Sequence, residues 1–182
     1  MLQRTEAKWH GWHNDCGGCY MKKAMIPTIC RAIGLGIVTG MRSAMGPAFA
    51  SYFVSQQPSD KLRKSPLGFM QKQGTSRYLQ TMAAGELVVD KAPNIGNRIA
   101  AAGITGRALS GALAGATLYQ AKGEKAWKGA VIGGVAAVAA AYAFFYLRKA
   151  AGRKLHVRDA AVGGLEDAVA LGIAALSIRK KR

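Results

Sequence analysis

Residues 103–119, GITGRALSGALAGATLY, constrain this chain most, because an otherwise apolar run carries one arginine, Arg107, near its middle. As a helix rising about 1.5 Å per residue, the run crosses most of a hydrocarbon layer about 30 Å thick. An isolated charge at that depth costs about 2.5–3.5 kcal/mol on the insertion scale, so Arg107 is expected to face protein or water and to have an acidic partner.

The composition points the same way. Half of the 182 residues are hydrophobic, but Ala and Gly dominate, and 23 glycines suit helices that approach backbone to backbone in lipid. A net charge of +17 raises the question of nucleic acid. The basic residues lie between apolar runs, as in membrane-protein loops, and no basic helix or aromatic stacking platform accompanies them, so nucleic acid is not expected as a partner. The expected fold class is all-α: an integral membrane helical bundle of four to five apolar segments, forming one domain over residues 25–178 with a basic tail at 179–182.

Residues 1–24 read as a polar, disordered extension. His10, His13, Cys16 and Cys19 repeat every three residues, a spacing that suits zinc or a redox metal. A single short cluster has little to fix its geometry, and Met21-Lys22-Lys23 resembles a natural start, so the expectation is no metal and no cofactor. Cys30 reads as packing. Residues 25–54 are apolar but broken, since Gly40, Arg42, Gly46 and Pro47 concentrate helix-weakening residues and a charge. A kinked long helix and a re-entrant helical pair both satisfy that pattern, the second placing irregular backbone where protein or a water cavity protects it.

Several motifs in order resemble one family. They are Gly40-Met41-Arg42-Ser43 followed by Pro47, Glu86-Leu87-Val88-Val89-Asp90-Lys91-Ala92-Pro93 with Arg98 after it, the glycine-rich pair of spans, Tyr146-Leu147-Arg148, and Leu165-Glu166-Asp167-Ala168. Over residues 30–178 this pattern is similar to domain-of-unknown-function family 4126. The resemblance implies a small bacterial multi-span protein of the inner membrane, in a family whose activity is not established.

Residues 55–76, with Pro58 and Pro66, read as an exposed loop. Residues 77–90 are helical in pattern but short for a span, with Glu86 and Asp90 four apart on one face. In the next two segments, Gly111-x-x-x-Gly115 and Gly129-x-x-x-Gly133 predict a closely packed antiparallel hairpin joined by the loop at 120–128. Trp127 at one end, and Tyr142, Phe144, Phe145 and Tyr146 at the other, read as interfacial anchors.

The final segment, 160–178, carries Glu166 and Asp167, which point about 100° apart on a helix. If the last three segments each cross once, the first and third run in the same direction, and Arg107 and Glu166 lie at similar depth. Asp90, Lys91, Arg98 and Arg148 lie at that same face. A re-entrant 25–54 segment brings Arg42 and Ser43 toward the site, and the positive-inside rule favours placing the 55–76 linker and the basic 148–158 loop together in the cytoplasm.

The favoured function is a channel or transporter for protons, ions or a small anionic solute, with this Arg/acid cluster lining the pathway in a homo-oligomer surrounded by membrane lipid. The alternatives are a scaffold or assembly protein whose charges are structural, and a lipid-modifying membrane enzyme. No Ser/His/Asp arrangement is recognisable, so no catalytic residue is assigned.

Overall fold

The computed structural model describes residues 27–89, 101–155 and 159–178. The described residues are helical throughout, with no strand. The helices are α1 (Thr28–Met41), α2 (Met45–Gln56), the single-turn α3 (Asp60–Arg63), a 3-10 helix (Pro66–Gln71), α4 (Gln73–Val89), α5 (Ala101–Lys122), α6 (Ala126–Leu155) and α7 (Asp159–Ile178).

α1 is the centre of the bundle. Ala32, Leu35 and Val38 on it are fully buried, and α2, α5, α6 and α7 all pack against it. Glycine permits the closest of these approaches. Gly36 lies against Gly133 and Ala136, while Gly40 lies against Ala137, Ala140 and Ala141, so α1 and α6 run in the same direction. Gly34 meets Ile173 and Ser177, near the C-terminal end of α7, which therefore runs the opposite way. A Cβ on Gly111 would stand 2.6 Å from the Gly133 carbonyl oxygen, and one on Gly115 would overlap the Gly129 carbonyl. α5 and α6 thus form an antiparallel hairpin whose backbones touch, closed by a turn in which Gly123 has φ +80°, a left-handed conformation that glycine adopts without strain.

The apolar stretch 25–54 is two short helices, not one kinked rod. α1 ends where Arg42 turns to extended backbone, and α2 begins at Met45. Gly46 then packs back onto Thr39 and the Leu35 carbonyl. Pro47 falls in the first turn of α2, where its missing N–H has no helical partner to lose. At its far end, Ser59 Oγ donates to the Ala121 carbonyl at 2.8 Å, and Lys61 lies over Gly123. α2 therefore returns to the end of the bundle from which α1 started.

Two expectations are corrected here. The 55–76 linker is not a loose loop: Leu62 and Met70 are fully buried, Ser51 Oγ donates to the Met70 carbonyl at 2.5 Å, and Pro66 opens a 3-10 turn capped by Ser65. The linker also lies at the end holding the 123–125 turn, opposite the end where α6 extends through Arg153 and Lys154. The cause is the full return of α2, after which α4 climbs the bundle again.

Among the described residues, one stretch, Ala126–Leu147, is long and apolar enough to cross a membrane, with mean hydropathy 2.0. Thr28–Met41 and Asp167–Ser177 are apolar but shorter. Only 22% of the Ala126–Leu147 stretch is buried, which is unlike the core helix of a water-soluble protein. Val131, Val135 and Leu147 on it are exposed, as are Leu109 on α5 and Leu176 on α7. An apolar exterior of this kind weakly favours a membrane protein. Residues 1–26, 90–100, 156–158 and 179–182, including the His10, His13, Cys16 and Cys19 spacing, lie outside the described residues.

Candidate functional site

The break between α1 and α2 carries the polar chemistry. Arg42 is 3% exposed although it is a full cation, so its charge has been taken out of water and must be answered within the fold. Its Nε donates to Asp167 Oδ1 on α7 at 2.7 Å, and Nη2 forms an ion pair with the same oxygen.

The next two residues bind a second carboxylate. Glu86, on α4, accepts from the Ser43 backbone N–H at 3.0 Å, from Ser43 Oγ at 2.7 Å and from the Ala44 N–H at 2.8 Å. The two amides it takes belong to the residues immediately before α2, where Ala44 has no side chain with which to cap that helix. Glu86 holds the entry to α2 from another helix, with its negative charge near the positive end of the α2 dipole. The break is thus held on one side by an ion pair to α7 and on the other by a carboxylate from α4.

Helix register fixes the depth of this cluster. Gly40 lies level with Ala137 and Ala141 on α6, so the Arg42 break is about 21 Å, or fourteen residues of rise, from Trp127. Tyr142 and Tyr146, both exposed, stand one and five residues further along. Arg107 is four residues before Gly111 on the same face of α5, and Gly111 meets Gly133 and Ala137, which brings Arg107 to the level of Gly40 and Arg42. It is partly buried.

Of the residues singled out in the sequence, Arg42 pairs with Asp167 and the adjacent Ser43 with Glu86, with Arg107 at the same height. Arg148 lies on α6 and Glu166 on α7, but their side chains are outside the described residues, as are Asp90, Lys91 and Arg98. The contact between Arg107 and Glu166 is therefore undescribed, and the described acid on α7 is Asp167.

Two polar arrangements escaped the sequence. Arg31 places its guanidinium 4.9 Å above the Phe53 ring, a contact between α1 and α2. Ser51, which binds the linker, carries no signal in the sequence because its acceptor is a backbone carbonyl 19 residues away.

Below the cluster is an apolar cavity of about 320 Å³ between α2, α4 and α7, lined by Met45, Phe49, Tyr52, Gln80, Ala83 and Leu171. Each wall leads to the cluster: Met45 adjoins Ala44, Ala83 is three residues from Glu86, and Leu171 is four from Asp167. Among the described residues no group of three or more His, Cys, Asp or Glu side chains has the geometry of a metal site.

In comparison with known proteins, residues 29–179 match the family described as Domain of unknown function (DUF4126). No curated protein and no solved structure matches the chain.

Proposed function

We propose that this chain, which belongs to the DUF4126 family, is a multi-pass protein of the bacterial cytoplasmic membrane that carries protons, ions or a small anionic solute past a buried Arg/acid cluster. In this reading α5, α6 and α7 cross the bilayer, the α1–α2 pair is re-entrant, and α4 completes a bundle of four to five apolar segments. The observation that carries the proposal is the burial of the Arg42 cation beside Asp167 and Glu86 at a break in apolar helix. Irregular backbone and ionisable groups are expensive at that depth, and they are typical of substrate and ion pathways. A monomer packed this closely has little room for a complete pore, so the working unit is a homo-oligomer.

Reconstitution into liposomes tests the reading. Wild-type protein is expected to pass protons, potassium or chloride, and Asp167→Asn or Glu86→Gln to reduce that flux at least tenfold while the protein keeps its helical circular dichroism. A flux indifferent to both changes would overturn the pathway.

A second reading is favoured by the completeness of the bonding. Glu86 accepts three hydrogen bonds and Arg42 is paired, which is what a purely structural clasp requires. In that case no flux is seen with wild-type protein, and the substitutions alter stability or assembly alone.

A further inference from the structure

The geometry points to an interaction surface at the end of the bundle opposite the Arg42 cluster, and we infer that its partner is the anionic, cytoplasmic leaflet of the membrane. Two segments remote in sequence build this end. The linker supplies Lys61, Arg63 and Lys64, and the α5–α6 turn supplies Lys122, Lys125 and Lys128, all of them exposed.

The two segments are tied together. Ser59 Oγ bonds to the Ala121 carbonyl, and the Lys61 side chain lies across Gly123. Exposed Phe69 and Trp127 stand among the cations, while Leu62 and Met70 anchor the surface from within. Among the described residues the acids here are Asp60 and Glu124. Asp60 makes a 3.4 Å pair with Arg63, but both side chains are largely exposed, so the cations are not neutralised.

Exposed aromatic rings beside Lys and Arg are matched to the headgroup layer, where the ring lies at the apolar boundary and the cation meets lipid phosphate. Charge complementarity selects the leaflet. Among the described residues, the segments that join helices at this end carry six cations, Lys61, Arg63, Lys64, Lys122, Lys125 and Lys128, whereas the far end of α6 carries four, Arg148, Lys149, Arg153 and Lys154. This end therefore stays in the cytoplasm, and the Arg42 cluster, about 21 Å away along the helices, lies near the outer face. The orientation is the reverse of the one the sequence favoured, because the linker and the basic end of α6 lie at opposite ends of the fold.

The inference rests on the membrane reading, and one experiment separates the two. With Cys16, Cys19 and Cys30 changed to Ser, single cysteines are introduced as Lys125→Cys and Lys149→Cys and probed in intact spheroplasts with a membrane-impermeant maleimide. Lys149→Cys is expected to label at once, and Lys125→Cys at least tenfold more after permeabilisation. The opposite pattern, or equal labelling of both sites, overturns the orientation while leaving the membrane reading intact. Recovery of the protein in the soluble fraction sinks the membrane reading itself.

A second variant addresses the leaflet. Changing Lys61, Arg63, Lys64, Lys122, Lys125 and Lys128 together to Gln is expected to give mixed orientation, so that external labelling of Lys149→Cys falls about twofold. An unchanged orientation leaves the lysines to an acidic protein partner and overturns the assignment to lipid.

Discussion

Arg42 loses almost all of its water in the folded chain, and the Asp167 carboxylate is placed to compensate. Removing one partner of a buried pair costs about 3–5 kcal/mol, and because Asp167 is partly exposed, Asp167→Asn is expected to cost about 3 kcal/mol. Thermal unfolding in detergent checks this. The double change Arg42→Met with Asp167→Leu is expected to recover most of that loss, since well-packed apolar groups replace a buried pair at little net cost. At the neighbouring contact, Glu86→Ala leaves the Ser43 and Ala44 amides at the entry to α2 without their acceptor and is expected to cost about 1–2 kcal/mol, whereas Glu86→Gln keeps an acceptor and costs about half as much. The sequence marked Arg42, Ser43, Glu86 and Asp167 as a charge cluster but could not pair them. Arg42 and Asp167 are 125 positions apart, and two adjacent acids look alike until the rotation of α7 is known. Depth matching alone selected Glu166 as the partner of Arg107, and depth is one coordinate of three.

Among the helices, the glycines fall into two groups that helical propensity cannot distinguish. Gly111, Gly115, Gly129 and Gly133 have neighbouring backbone where a side chain would stand, while Gly106 and Gly172 have nothing within 4 Å. Gly115→Val is therefore expected to separate α5 from α6 and to lower the unfolding midpoint by about 2–12 °C, as overpacking typically costs about 1–3 kcal/mol and each kcal/mol shifts the midpoint of a chain this long by about 2–4 °C. Gly172→Ala, by contrast, is expected to leave the midpoint unchanged or to raise it, since Ala is favoured over Gly in a helix by about 1 kcal/mol. Circular dichroism melts of the two variants in one detergent make the comparison. The close hairpin was legible because small residues four apart have a direct steric meaning. The linker was not, because one turn of α-helix and six residues of 3-10 helix are too short to show a period, and their stability comes from Leu62 and Met70 packing against residues far along the chain.

For the molecule as a whole, the break at Arg42 was foreseen in position, whereas the direction of α2 followed only from contacts, so the end of the bundle to which the linker belongs was misassigned. The exposed apolar flank of α5, α6 and α7 predicts behaviour in bulk: the protein is expected in the membrane fraction, resistant to extraction at alkaline pH, and release into the supernatant would contradict it. A further consequence comes from the central place of α1. A segment of 14 residues is too brief to cross a bilayer unaided, yet it leaves the ribosome first among the described helices, and the walls that enclose it are synthesised last. Until α7 arrives to lay Ser177 beside Gly34 and Asp167 beside Arg42, the nascent protein lacks the carboxylate that pairs with the Arg42 cation. Chains cut short before the final helix are therefore expected to be degraded faster than the full chain, which a pulse-chase comparison checks.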